Sequence, residues 1–116
     1  MPSKALELAL RDILHHIDLA EHFAAGLDYA SFRGDVRTLY AVTRCLGIIS
    51  EASRRLADEM KARHASIAWS DMAAAANTYR HEDEDAAYSV WIALKQHLPP
   101  LRAAVAHELE RLGRQR

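Results

Sequence analysis

The sequence is poor in cysteine, proline and glycine, with one, three and four of them among 116 residues. The single cysteine, Cys45, excludes a disulfide framework and a thiolate metal site, which fits a reducing cytoplasm. Glycine and proline stand mostly between periodic segments, so the sequence favours helices throughout. Charged residues interrupt every hydrophobic run well before the ~20 residues that a membrane span needs, and the N-terminus has no export signal. We therefore expect a soluble cytoplasmic protein that does not contact a membrane.

The chain also lacks an excess of charge of either sign. Its 15 lysines and arginines stand against 16 acids, for a formal net charge of −1. This balance argues against a protein that holds nucleic acid by charge over its whole surface, although it leaves room for a local basic cleft. The residues are 50% hydrophobic and 27% charged, as in ordinary globular proteins. The length is typical of one domain, which we expect to span residues 1–116.

Apolar residues recur at spacings of three and four, which predicts an all-α fold. The first helix is capped by Ser3 and stops near Gly26. A second, long helix follows the stretch LDYASFRGD and should run to about Arg63, with Gly47 as a weak point, because glycine costs about 1 kcal/mol relative to alanine in a helix. The two apolar stripes are Leu6, Leu10, Ile13, Ile17, Ala20 and Ala24, and Leu39, Val42, Leu46, Ile49, Ala52, Leu56 and Met60.

The second half of the chain predicts shorter helices. The stretch HASIAWSD breaks the pattern, and Ser70 or Asp71 can cap a short third helix, MAAAANTYRH. Pro99 and Pro100 force a boundary after the fourth helix and can open a fifth. These two helices carry Val90, Trp91, Leu94 and Leu98, and Leu101, Val105, Leu109 and Leu112. Short connections predict an up-and-down antiparallel bundle of four to five helices.

Both long helices are rich in alanine and carry more than one apolar face. A helix-mediated homodimer would cover the surface that a single chain of this size leaves open. The alternative is that these faces meet the fourth and fifth helices inside one bundle. The helical pattern by itself leaves both arrangements open.

The densest group of chemically active side chains runs from Asn77 to Asp83. If the third helix continues through it, Asn77 and His81 lie at i and i+4 and Arg80 at i+3, so an amide, an imidazole and a guanidinium share one face. Imidazole can exchange a proton near neutral pH, guanidinium can stabilise charge on a pentavalent phosphorus, and the amide can orient either group. These side chains could cleave a phosphodiester. Spacing alone favours the alternative, a solvated helix end whose two cations complement the helix dipole.

Three segments of the chain carry a family resemblance: residues 35–64, 67–82 and 90–101. The first contains LGIISEA, which is similar to the pattern Leu-Glu-Ile-Ile-Gly-Glu-Ala. The second is similar to a Pro-x-x-x-x-Trp segment followed by Arg-Asn-x-x-x-His, and the third to a closing Trp followed by Leu-Pro. With these motifs in this order, the chain resembles the HepT-like proteins. They belong to the HEPN group of helical ribonucleases and are partners of MNT-type minimal nucleotidyltransferases in toxin–antitoxin modules.

The resemblance implies a HepT-like helical bundle and a metal-independent RNA endonuclease without a cofactor. It also implies a homodimer or higher oligomer with an RNA cleft between subunits. The motif histidine is then His81, and the polar residue after the motif arginine is Asn77. The arginine itself is replaced by Ala76. Asp83 stands where the family often has a tyrosine that the nucleotidyltransferase modifies with AMP. We therefore expect impaired nuclease chemistry and the loss of the modification site.

Two alternatives follow from these departures. Arg80 lies one helical turn from Ala76 and could substitute for the motif arginine, although from a different anchor and with poorer geometry. The chain could instead be a non-catalytic helical dimer that binds a nucleotidyltransferase antitoxin and cuts nothing.

Other polar residues have simpler interpretations. His15, His16 and His22 are expected to be surface or interface histidines, because zinc needs closer pairs and a third ligand. Glu51, in the stretch that matches Gly-Glu-Ala, should make a polar contact between helices. The four acids of residues 82–85 would repel a phosphate backbone unless a partner protein neutralises them.

A basic surface for RNA is a further candidate, formed by Arg54, Arg55, Lys61 and Arg63. The interspersed acids Asp58 and Glu59 favour the alternative of a solvated face. The large aromatic residues should serve mainly in packing: Trp69, Tyr79, Tyr88 and Trp91.

Overall fold

A computed structural model describes residues 4–70 and 86–115, and within them the regular structure is helical, without a strand. The helices are α1 (Lys4–Phe23), α2 (Tyr29–Gly34), α3 (Val36–Arg54), α4 (Asp58–Arg63), α5 (Ala86–Ile92), a π-helical segment (Ala93–His97) and α6 (Leu98–Arg114). The predicted all-α fold is confirmed. None of the helices in these two stretches is long and apolar enough to cross a membrane.

The turn after α1 is formed where the sequence predicts it. Gly26 has a φ of +80°, a conformation that glycine adopts without strain, and the helix ends before it. The predicted cap of this helix, Ser3, lies outside the described residues. The short helix α2 was not predicted. Asp28 caps it by accepting a hydrogen bond from the Ser31 N–H at 2.8 Å, and Phe32 anchors it in the core, where it is fully buried.

The second predicted helix is divided in two. The prediction that it runs to Arg63 is wrong, because α3 ends at Arg54 and α4 starts at Asp58. Near the break, Ser53 Oγ donates to the carbonyl of Ile49 at 2.8 Å. Such side-chain bonds to the preceding turn weaken and bend a helix. Both halves nevertheless keep their apolar residues in the core, so the stripe continues across the break.

The predicted break at HASIAWSD is confirmed. Residues 64–68 are not helical, whereas Trp69 and Ser70 are. Ser70 is therefore helical itself and does not stand before the helix as a cap. The other predicted cap, Asp71, lies outside the described residues.

One helical path leads from α5 through the π-helical segment into α6. In this segment the Leu98 N–H donates to the Ala93 carbonyl, five positions earlier, which widens the turn. Pro99 and Pro100 follow in the first turn of α6, and neither has an N–H group to donate to the carbonyls of the preceding turn. The prolines stand at the start of α6 as predicted, but the prediction that they separate two helices is wrong, because the chain stays helical through the π-helical segment.

The helix α1 packs against both α3 and α6. Arg102, near the start of α6, pairs with Asp18 and Glu21, near the end of α1, so these two helices are antiparallel. Arg55, just after α3, reaches Asp12 of α1 at 3.5 Å. The largest fully buried side chains are Leu10, Ile13, Ile17, Phe32, Val42, Leu46, Ile49, Val90, Leu98, Leu101 and Val105.

Much of the apolar surface of α1 and α3 is covered inside the bundle, as the alternative to a homodimer requires. Several large hydrophobic side chains remain exposed, and Leu8, Val36 and Tyr40 are each 57% exposed. The covering of the main stripes removes the strongest sequence argument for a dimer. The homodimer stays a prediction.

Alanine at two glycines should change stability in opposite directions. Gly26→Ala should lower the free energy of unfolding by about 1 kcal/mol, because a side chain is strained at positive φ. Gly47 lies inside the continuous helix α3, where Gly47→Ala should raise this free energy by about 0.5–1 kcal/mol. An added Cβ meets nothing within 4 Å at either position, so the backbone decides the sign. Urea unfolding followed by circular dichroism measures both, and shifts of the same sign would contradict the assignment.

Candidate functional site

The residues that the sequence singles out for catalysis lie outside the described residues. They are Ala76, Asn77, Arg80, His81 and Asp83, and the same holds for Tyr79 and for the acids at 82–85. We call residues 71–85 the motif segment. The structure describes the chain on both sides of it, up to Ser70 and from Ala86 onward. These two flanks determine where the motif segment begins and ends.

The upstream flank is tied to α6 by a buried carboxylate. Glu108 is only 4% exposed. Its Oε1 accepts a hydrogen bond from Arg63 Nη2 at 2.7 Å, and its Oε2 lies 2.8 Å from His64 Nε2. Arg63 is the last residue of α4 and His64 follows it, so these bonds hold the chain shortly before the motif segment. We call Arg63, His64 and Glu108 the α4–α6 clamp.

The clamp is held together by charge. Burial alone would raise the pKa of Glu108, because a carboxylate loses hydration inside the protein. Hydrogen bonds from Arg63 and His64, together with the nearby charges of Arg63 and Arg111, outweigh this effect and lower the pKa of Glu108 from its ordinary value of 4.5. The same hydrogen bond raises the pKa of the Arg63 guanidinium. Glu108 is therefore an anion at neutral pH, and its hydrogen bonds are charge-assisted.

Trp69 provides a second anchor on the upstream flank. Its side chain is partly buried and packs against the hydrophobic core, which confirms the predicted packing role. Lys61 Nζ lies 5.9 Å from the ring centroid, at the outer limit of a cation–π contact. The indole Nε1 is buried and has no hydrogen-bond partner within the described part of the chain. Together with the clamp, Trp69 fixes the chain where it enters the motif segment.

The downstream flank is anchored by aromatic packing. The residues that α5 buries are Ala86, Ala87 and Val90. Trp91 packs on Phe32 with ring centroids 5.1 Å apart, which confirms its predicted packing role. Tyr88 differs from the prediction because it is 52% exposed, although its ring meets Tyr29 edge-on at 5.4 Å. The start of α5 is thus held by apolar contacts, with one tyrosine ring open to solvent.

The structure favours the solvated face over the candidate basic surface. Arg54 pairs with Glu51 at 3.2 Å, Arg55 contacts Asp12 at 3.5 Å, and Arg63 belongs to the clamp. The side chains of Arg54 and Arg55 are 65% and 57% exposed, which matches the alternative of a solvated face. The prediction for Glu51 is wrong, because this residue pairs within its own helix and, among residues 4–70 and 86–115, has no polar partner on another helix.

The histidines of α1 are not gathered around a common point. His16 Nδ1 lies 2.8 Å from the Asp12 carbonyl oxygen, a contact within one turn of the helix. Among residues 4–70 and 86–115, no three side chains of the kind that ligate metals come together. His15, His16 and His22 therefore give no support to a metal site on this helix.

One basic face was missed in the sequence. His107, Arg111 and Arg114 line an open depression of about 380 Å³ together with Gln115. The rings of His107 and His64 have centroids 5.8 Å apart, which places this depression beside the clamp. Spacings of four and three residues put the three basic side chains on one face of α6, and this spacing was the available signal.

Removing the charge of Glu108 should destabilise the fold in a pH-dependent manner. At neutral pH, Glu108→Gln should lower the free energy of unfolding by about 1–2 kcal/mol, less than for a fully buried pair because Arg63 is 38% exposed. The folded-state pKa of Glu108 is depressed, so its contribution is present above 4.5 and is lost as the pH falls through the folded-state value. The difference between the two proteins should shrink below pH 4.5.

Urea unfolding at neutral pH and at about pH 3 measures this effect. The matched control is Glu110→Gln on the same helix, since Glu110 is 71% exposed and lies 4.0 Å from its nearest cation, Arg114. An equal loss in both variants, or a loss for Glu108→Gln that does not depend on pH, would contradict the clamp.

Comparisons with known proteins identify the family of this chain. A family model described as Ribonuclease HepT-like matches residues 13–108. The chain is 33% identical over 94 residues to "Probable ribonuclease HepT" of Thermococcus cleftensis, covering 80% of this chain and 86% of that protein. It is 27% identical over 103 residues to "Putative RNase MJ0125" of Methanocaldococcus jannaschii, covering 88% and 89%. No solved structure matches the chain. Since the family model spans most of its length, the chain belongs to the HepT-like ribonuclease family.

Proposed function

We propose that the chain is the toxin component of an MNT/HepT-type toxin–antitoxin module, with the ancestry of a metal-independent RNA endonuclease and an impaired catalytic motif. The observation that carries the proposal is the motif inside the matched range. His81 and Asn77 are present there, whereas Ala76 stands in place of the arginine. Membership of a ribonuclease family supports RNA as the substrate class.

The residues of the motif have distinct roles in this proposal. His81 acts as general acid or base at the phosphodiester, and Asn77 orients the imidazole or the phosphate. The missing arginine would have stabilised the charge that develops on the phosphorus, and the loss of one such donor costs on the order of 10²- to 10³-fold in rate. Arg80 could supply a guanidinium from one helical turn away, with poorer geometry. The chain should therefore cleave RNA feebly or not at all.

Two features of the flanks support the proposal that the catalytic side chains of the motif are held in place. The clamp and Trp69 hold the chain before the motif segment, and Trp91 holds it afterwards. Catalytic groups act efficiently only when their supporting structure keeps them in a productive geometry. Flanks fixed by buried contacts suit this requirement.

We also infer that the chain forms one domain over residues 1–116 and assembles as a homodimer. The core draws buried residues from every described helix, which supports a single unit. The exposed hydrophobic side chains of α1 and α3, such as Leu8 and Val36, support a surface between two copies. In such a dimer, the RNA cleft would lie where the two subunits meet.

A second candidate function is a non-catalytic helical dimer that binds a nucleotidyltransferase antitoxin. Ala76 favours it because the motif lacks its arginine. Asp83 favours it because a carboxylate has no phenolic hydroxyl to accept AMP, so control of a nuclease by this modification would be lost.

Restoring the arginine should restore RNA cleavage. We expect Ala76→Arg to raise the cleavage rate by about 10²-fold over the unchanged chain, because it returns a donor that acts in the transition state. Single-turnover rate constants with a 5′-labelled RNA, followed on denaturing gels, measure the change.

The matched control is the double variant Ala76→Arg/His81→Ala, which should return to the rate of the unchanged chain or lower. Arg80→Ala in the unchanged chain tests substitution by Arg80, since any residual cleavage that depends on this guanidinium should disappear. Equal rates in all of these proteins would contradict the catalytic proposal. The non-catalytic candidate would then predict co-elution with a nucleotidyltransferase encoded beside the chain.

A further inference from the structure

We propose that the depression on α6 binds a phosphate group of an RNA strand. Its lining consists of His107, Arg111, Arg114 and Gln115. The inference rests on the RNA substrate proposed above. The occupant is a phosphodiester of the strand, held by guanidinium donors.

The two arginines keep their donors available. Arg111 Nε lies 4.0 Å from Glu108 Oε1, and Arg114 Nη1 lies 4.0 Å from Glu110 Oε2. Both separations exceed the 2.7–3.2 Å of an N–H···O hydrogen bond. Within residues 4–70 and 86–115, neither guanidinium takes part in a hydrogen bond. A guanidinium has five N–H donors in a planar fork that fits two phosphate oxygens at once.

The acid closest to Arg111 is already compensated. Both oxygens of Glu108 accept charge-assisted hydrogen bonds from the clamp partners Arg63 and His64. Its charge is therefore balanced by α4, and Arg111 and Arg114 give the depression a surplus of positive charge. This local surplus contrasts with the formal net charge of −1 of the whole chain.

The dipole of α6 opposes an anion at this end but is too weak to exclude one. A helix C-terminus carries roughly −0.5 of an elementary charge, and the exposed carboxylate of Glu110, 4.0 Å from Arg114, adds one negative charge, against two positive charges on Arg111 and Arg114. The Gln115 N–H also donates to the carbonyls of Arg111 and Leu112 at 3.2 Å, which satisfies part of the helix end. The summed charge therefore still attracts a phosphate, and it requires both arginines.

The shape and lining favour a phosphate in a continuing strand over a free nucleotide. The depression has a volume of about 380 Å³, enough for a nucleotide-sized group, but it is open to solvent. Among the described residues, its lining offers two guanidinium groups for phosphate and one imidazole ring, that of His107, on which a neighbouring base could stack. An open site with phosphate donors suits a backbone that enters and leaves it.

RNA binding by charge-neutral variants tests the assignment. With a fluorescein-labelled single-stranded RNA of about 20 nucleotides, fluorescence anisotropy should show Kd rising about tenfold for Arg111→Gln/Arg114→Gln, as expected for charged hydrogen bonds to phosphate. Affinity falls as salt rises, and the magnitude of the slope of log affinity against log salt should decrease by about 0.7 for each arginine removed. The control is Arg54→Gln, which removes one positive charge, as Arg114→Gln alone does, from an exposed arginine already paired with Glu51, and its Kd should stay close to that of the unchanged chain.

Because Arg111 also lies near the clamp, Arg114→Gln is measured alone as a second variant, and thermal melting of every variant verifies the fold. RNA affinity that is unchanged in the double variant, or reduced equally by Arg54→Gln, would overturn the inference.

NMR titration of the arginine Nε–H signals with inorganic phosphate separates the two phosphate sources, free phosphate and the backbone of an RNA strand. Phosphate binding as tight as RNA binding would overturn the assignment to a strand. An unchanged chain that binds no RNA would also overturn it, whereas the cleavage rates of Ala76→Arg test the proposed function independently.

Discussion

A carboxylate buried in a protein has to be paired, and Glu108 finds its partners at the end of α4. With only 4% of its surface exposed, it loses most of its hydration, and Arg63 and His64 compensate for that loss. Apolar contacts tolerate small slides of one helix along another, whereas these hydrogen bonds have fixed lengths and directions. The pairing therefore specifies which part of α6 meets α4. The chain that leads into the motif segment starts from this fixed point.

The two flanks of the motif segment are held by different physical interactions. The upstream flank depends on an ionised carboxylate, so acid that protonates Glu108 weakens it. The downstream flank depends on Trp91 packed against Phe32, with Lys95 Nζ 4.7 Å from the Trp91 ring centroid. The rings of Trp91 and Phe32 carry no ionisable group. Low pH should thus loosen the entry to the motif segment while its exit stays in place.

The sequence predicted the first helix and its buried face correctly. Leu10, Ile13 and Ile17 are fully buried, because a 3.6-residue period places them on one face of α1. The same periodicity failed at the end of α3, since Leu56 and Met60 remain in register with the stripe although the helix is broken between them and Arg54. An apolar period reports which side chains are buried, and it does not report whether the backbone is continuous.

The flanks of the candidate site were harder to predict than the fold. Glu108 is buried because of Arg63 and His64, which are distant in sequence, and such a pairing leaves no local signal. Its position between Val105 and Leu112 on the buried face of α6 was the one visible hint, but the predicted stripe passed through Leu109 instead. The motif residues themselves were identified from the resemblance, because their spacing alone favours an ordinary helix end.

Several basic side chains of this protein form ion pairs with nearby acids, and this pairing limits which of them could bind a polyanion. Arg63 and Arg102 form ion pairs with acids on other helices, and a positive charge that is paired in this way attracts RNA only weakly. Arg111 and Arg114 have no such role. Any affinity for RNA would therefore depend on the arginines that are not paired between helices and not on the total of basic residues. Because the acids at 82–85 add repulsion next to the motif, a small number of well-placed phosphate contacts elsewhere would have to offset it.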